Sequence, residues 1–256
     1  MPEPLSSIPN IPARFQLAYQ QVKQLEQHAR YLGAFIFGSL ARGEATGASD
    51  LDVKVAIGED NPCHNVNHPI IQGVKLDISF NSFAQLRQQT EQEITLRERV
   101  PMIAESIIVF DKTGELAALR AMAQQVHPRP MPQEAYQFML FMFYHSNNKV
   151  ERNLEHDPLT ALLAMHVGVN DFLHYHYQFQ QRWLVSSKRM LADLRSWDAQ
   201  LAQLLEQFVI TCDIQKKYYY WSAIIDHILA PVGGRQPISE NNCTCEVCQR
   251  DLAMFQ

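Results

Sequence analysis

Three carboxylates and a glycine–serine pair are the residues of this chain best placed to do chemistry. Residues 33 to 57 read GAFIFGSLARGEATGASDLDVKVAI, and in them Gly38-Ser39 is followed, ten residues later, by Asp50-Leu51-Asp52. From Leu51 to Ile57 the aliphatic residues alternate with Asp52, Lys54 and Ala56. Period-2 geometry therefore projects Asp50, Asp52 and Lys54 from one face of a strand. Two neighbouring carboxylates repel each other, and a divalent cation relieves the repulsion; Mg²⁺ favours a few carboxylates plus substrate phosphates over a closed protein cage. Gly38 lets backbone approach a ligand closely. Ser39 would open a short helix whose free N–H groups and hydroxyl suit a phosphate, and Arg42, one turn on, adds a guanidinium for phosphate oxygens. In Val74-Lys75-Leu76-Asp77-Ile78-Ser79-Phe80, the residues Lys75, Asp77 and Ser79 alternate against Leu76, Ile78 and Phe80. If that strand pairs beside the first, Asp77 joins the other two carboxylates in a set suited to metal-assisted phosphoryl chemistry.

Gly38-Ser39, ten residues, Asp50-x-Asp52 and a later strand carrying Asp77 together resemble the DNA polymerase β-type nucleotidyltransferase superfamily. The run GSLARGEA…SDLDV is especially similar to bacterial members, the minimal nucleotidyltransferases and the antibiotic-modifying enzymes that act on aminoglycosides and lincosamides. The resemblance covers roughly residues 30 to 115, where VFDKTGELAAL is similar to the last strand and helix of the antibiotic-modifying branch. It implies transfer of a nucleoside monophosphate, foremost AMP from ATP, to an acceptor hydroxyl with release of pyrophosphate. Asp50 and Asp52 would hold one or two Mg²⁺ ions, and Asp77 would be either a third ligand or the base that takes the acceptor proton. Gly38 and Ser39 would position the triphosphate and Arg42 would steady it. Lys188, after QRWLVSS, lies in a stretch similar to the W-x-x-x-x-K of the antibiotic-modifying enzymes, where a lysine of the helical domain reaches the nucleotide phosphates.

The elements that must position these residues follow from periodicity and punctuation. A helix is expected over 13–31 and ended by Gly33, followed by a strand over 34–37, the glycine–serine turn and a strand over 51–57. Residues 70–80 read as one strand or as a hairpin about Gln72-Gly73, residues 82–99 as a helix, 106–110 as a strand and 115–125 as a helix. His127-Pro-Arg-Pro-Met-Pro132 is the clearest boundary, because its prolines stop a helix and stiffen a connector. Beyond it, helices are expected over 133–156, 159–181, 187–196, 197–211 and 214–229. The fold class is thus α+β: a polymerase-β-like nucleotidyltransferase domain over 1–130, with a mixed sheet flanked by helices, and then an all-α helical bundle over 131–256. The bundle would bind the acceptor. Its aromatic residues, with Glu151, Glu155 and Asp171, could cradle a cationic sugar.

Length and composition bound the alternatives. The chain has 256 residues, 46% of them hydrophobic and 19% charged, as in a soluble globular protein with ample core. Its net charge of −5 lacks the basic field of a nucleic-acid tracker, so no nucleic-acid partner is expected and the acceptor is a small molecule or a protein. MPEPLSSIPNIP has no basic segment leading into an apolar core, and no apolar run reaches membrane-span length, so a cytoplasmic protein without membrane contact is expected. Cys243, Cys245 and Cys248 crowd the C-terminal tail, where they could hold Zn²⁺ with Cys212 or His227; the usual second Cys-x-x-Cys or His pair is missing, which favours a solvated tail. Cys63, His64 and His68 are read as decoration of a polar loop rather than as a metal trio. Two other functions remain alongside the small-molecule transferase: a regulator that adenylylates a partner protein, as antitoxin-type minimal enzymes do, and a nucleotide sensor without catalysis.

Overall fold

The computed structural model describes residues 11–63 and 65–235, with Glu246 and Arg250. The chain divides into two compact units, Met1–Arg129 and Pro130–Gln256.

In the first unit α1 (Gln16–Gln24) precedes β1 (Tyr31–Phe37), the single turn α2 (Gly38–Ala41) and β2 (Leu51–Ile57). Then come β3 (Ile70–Ile71), β4 (Val74–Ser82), α3 (Phe83–Leu96), β5 (Ile107–Asp111) and α4 (Glu115–Gln124). The five strands form one mixed sheet in the order β3-β4-β2-β1-β5. Only β2 and β4 run parallel; β1 pairs antiparallel with β2 and β5, and β3 with β4.

Alternation decides how the sheet is covered. Ala34, Ile36, Val53, Val55, Leu76 and Ile78 share a buried cluster with Phe15, Ala18 and Val22 of the N-terminal segment. On the opposite face Phe35 and Ala56 pack with Leu86 of α3 and with Leu116, Leu119 and Ala123 of α4. Phe37 stands opposite Asp52 in the β1–β2 register, so that same face turns from apolar to acidic along its length. A capping box fixes the start of α3: Ser82 Oγ accepts from the Gln85 backbone N–H at 3.2 Å, and Gln85 Oε1 accepts from the Ser82 N–H at 2.9 Å.

The first helix departs from expectation. It ends at Gln24, a short 3₁₀ turn carries on to Gln27, and β1 already begins at Tyr31. Gly33 lies inside the strand, opposite Ala56 and Asp111, and a Cβ there would sit 2.6 Å from Leu116 Cδ1. Its role is close packing under α4 rather than helix termination. The hairpin alternative for 70–80 is the one adopted: Gln72 and Gly73 both have positive φ, as a tight two-residue turn between twisted strands requires.

The second unit is a bundle of α5 (Gln133–Asn153), α6 (Pro158–Phe179), α7 (Ser187–Trp197), α8 (Ala199–Ile210) and α9 (Ile214–Leu229). Its core holds Phe143, Phe172, Tyr177, Phe208 and Trp221 among aliphatic neighbours, with Phe143 and Phe172 stacked at 4.0 Å. Asp157, Asp198 and Asp213 each accept a backbone N–H at the start of α6, α8 and α9. Asp198 does more: its Oδ2 lies 2.8 Å from His176 Nε2 and 2.9 Å from His227 Nε2. His176 is buried, and burial pushes its pKa down despite the carboxylate beside it. Among the described residues no helix is long and apolar enough to cross a membrane. Cys243, Cys245, Cys248 and His64 lie outside the described residues.

Candidate active site

Parallel pairing of β2 with β4 aligns Leu51 with Leu76 and Asp52 with Asp77. Directly opposed residues of neighbouring strands point to one face, so Asp52 and Asp77 project side by side. Asp50 comes in one step before β2. Lys75 links it to Asp77: the ammonium Nζ lies 3.4 Å from Asp50 Oδ2 and 2.9 Å from Asp77 Oδ1. His68 adds a second partner, with Nδ1 2.6 Å from Asp77 Oδ1. The hydrogen bond from Lys75, reinforced by that of His68, holds the Asp77 carboxyl below its ordinary pKa; the same contact raises that of Lys75. The side chains stay open to solvent, 42% exposed for Asp50 and 27% for Asp77.

The glycine–serine turn reaches the same place. Gly38 has φ +74°, and a Cβ there would lie 2.0 Å from Asp52 Oδ2. Its bare backbone therefore lies directly against a carboxylate, an approach closed to every other residue type. Ser39 follows in α2, half-buried, with its carbonyl accepting from Glu44 N–H at 2.8 Å.

The remaining residues singled out in the sequence are placed as follows. Arg42 is mostly buried and already paired: Nε lies 3.0 Å from Glu44 Oε2 and Nη1 3.7 Å from Glu105 Oε2. A phosphate contact from it requires exchange of those partners. Lys188 is exposed in the first turn of α7, in the second unit. Glu151 is engaged within the bundle, accepting from the Tyr218 hydroxyl and, at 3.0 Å, from Asn147 Nδ2. Cys63 is an exposed free thiol, and His68 turns to Asp77.

Lys75 and His68 are the partners that residue spacing did not single out. Lys75 was visible as a member of the polar face of β4, but its contact with Asp50 depends on the β2–β4 register. His68 reaches Asp77 because Asn67 bridges Ile78 and folds the loop back along β4, a contact with no local signature. Lys54, which spacing had placed on the face of Asp50 and Asp52, donates to Gln89 Oε1 at 2.9 Å, and its burial lowers its pKa.

The donor set fits a hard divalent cation. Asp52 and Asp77 stand side by side on one face, and the ammonium of Lys75, bridging Asp50 and Asp77, marks the place as one that attracts positive charge.

Residues 19–106 match the model of the nucleotidyltransferase domain family. No protein of curated function matches the chain. Among solved structures, a nucleotidyltransferase-like protein from Exiguobacterium sibiricum 255-15 is similar at 12% identity and a TM-score of 0.45, over 85% of this chain and 74% of that one. The matched stretch contains Gly38, Ser39, Asp50, Asp52 and Asp77. The stretch similar to the nucleotidyltransferase domain family thus lies within the first unit.

Proposed function

We propose that the protein transfers a nucleoside monophosphate, AMP from ATP foremost, to a hydroxyl of a small-molecule acceptor. The observation that carries this reading is the β2–β4 register, which sets Asp52 beside Asp77 while the bare backbone of Gly38 lies against Asp52. In the reaction the acceptor oxygen attacks the α-phosphorus, the bond to the β-phosphate oxygen breaks, and pyrophosphate leaves. Asp50, Asp52 and Asp77 would hold Mg²⁺, one or two ions, and the bound metal supplies neutralisation of the triphosphate and of the developing charge. The chain's own groups do the positioning. Gly38 and Ser39 line the approach of the triphosphate, with Arg42 and Lys188 as further phosphate contacts. Asp77 serves either as a ligand or as acceptor of the hydroxyl proton; in the second role His68, one hydrogen bond away and 54% exposed, passes that proton to solvent.

The test is thermal stability of the wild type and of Asp50→Ala with ATP, GTP, CTP and UTP, each with and without Mg²⁺. A ligand at a hundred times its dissociation constant stabilises by about 2.7 kcal/mol, so binding is readable. A Mg²⁺-dependent shift with ATP that Asp50→Ala loses is the expected result. No shift with any nucleotide overturns the reading. Pyrophosphate release with Mg²⁺ then separates an enzyme from a nucleotide sensor.

A further inference from the structure

The second unit holds a cluster that nucleotide transfer at the first does not use. His176 near the end of α6, Asp198 at the junction of α7 and α8, and His227 near the end of α9 each offer a ligand atom, and these atoms all lie within 4.8 Å of one another. Both imidazoles aim Nε2 at one carboxylate oxygen, Asp198 Oδ2. Asp198 Oδ1 is already taken by the Leu201 N–H at 3.1 Å, which fixes the carboxylate in orientation. His176 stacks on Trp197 at 5.2 Å, which fixes its ring. Fixed orientation of this kind is what metal ligands receive from the groups behind them. All three residues line an open cleft of about 770 Å³, together with Gln180, Gln200 and Tyr219.

We propose that His176, Asp198 and His227 bind one divalent transition-metal ion of the zinc class, with its fourth position open to the cleft. Two imidazoles and one carboxylate select such ions over Mg²⁺, which prefers oxygen alone. Metal–ligand bonds of about 2.0 Å in a tetrahedron set ligand atoms about 3.3 Å apart, so the observed 2.8 and 2.9 Å separations widen by about 0.4–0.5 Å, while the two imidazole nitrogens, within 4.8 Å of each other, close by up to about 1.5 Å. The environment of His176 argues the same way. Its side chain is 2% exposed, and a metal–ligand bond at Nε2 offsets such burial better than a single hydrogen bond does. Three protein ligands with an open position are the arrangement of metal sites that receive a further molecule rather than of closed structural ones. A cleft-borne group with a lone pair, such as an amine, a hydroxyl or a carboxylate, is the class of ligand that would complete it.

The probe is Co²⁺ added to the full chain carrying Cys243→Ser, Cys245→Ser and Cys248→Ser, so that tail thiolates contribute nothing. One equivalent is expected to give the intense visible absorption of four-coordinate cobalt without thiolate charge-transfer bands. Zn²⁺ is expected to abolish that absorption and excess Mg²⁺ to leave it, whereas cobalt on the carboxylates of the first unit would be six-coordinate and nearly colourless. His227→Gln, which preserves size and polarity, is expected to remove the absorption. The unmutated histidines give an independent reading: the cobalt-loaded chain is expected to show a hyperfine-shifted imidazole N–H resonance. Absence of visible absorption at one equivalent, its persistence in His227→Gln, or the absence of shifted imidazole resonances each overturns the proposal and leaves a hydrogen-bonded clasp between helices.

Discussion

Gly38 shows how much one absent methyl group can decide. Its φ of +74° already strains any other residue, and a Cβ would meet Asp52 Oδ2 at 2.0 Å. Gly38→Ala is therefore expected to push Asp52 away from its alignment with Asp77 and to lower kcat by about 100-fold, the usual consequence of a displacement near 1 Å at a reacting centre. Full activity in that variant would remove Asp52 from the catalytic set. Lys75→Met tests the opposite contribution. Its ammonium pairs with Asp50 and Asp77 where a metal would sit, so its removal is expected to lower severalfold the Mg²⁺ concentration that gives half-maximal activity. A rise instead would identify Lys75 as a phosphate contact. The carboxylates themselves could be read from the chain because strand alternation is local information. The contact of Lys75 with Asp50 and that of His68 with Asp77 could not, since each depends on a strand pairing or a folded-back loop that joins distant residues.

Elements repeat the lesson. The bundle helices were readable to within a few residues because their starts are written in short-range caps, Asp157-Pro158 at α6 and Asp213 at α9. The first helix was read too long because Gly33 looks the same to local pattern whether it ends a helix or lies under Leu116 in a strand. The start of α3 gives a quantitative test. Ser82 is buried, caps the helix and also donates to Asp60 Oδ1 at 2.6 Å. Ser82→Ala is expected to cost about 1–2 kcal/mol in denaturant unfolding, with turnover unchanged at low temperature. An unchanged unfolding midpoint would show that the cap contributes nothing.

Across the whole molecule, sheet and bundle differ in what holds them. In the bundle, α5 packs on α6, α7 on α8 and α8 on α9, so most partners are neighbours in sequence. The sheet unites β1 with β5 across all of the chain between Phe37 and Ile107. The expected phosphate contact of Lys188, which is exposed in α7, has its own test. Lys188→Ala is expected to raise the nucleotide KM with melting temperature unchanged; equal KM values would make it ordinary surface charge.

The β3-β4-β2-β1 arrangement has a consequence for the protein's birth. Every strand that aligns Asp52 with Asp77 is encoded by Ser82, before α3, β5 or any bundle helix has been made. On a growing chain the carboxylate edge can therefore reach its register while the bundle is still untranslated, and only β5 must return to close the far margin of the sheet. If Asp50, Asp52 and Asp77 hold a divalent cation as proposed, that metal would tie β2 to β4 as soon as both strands have emerged, an early staple on the growing chain.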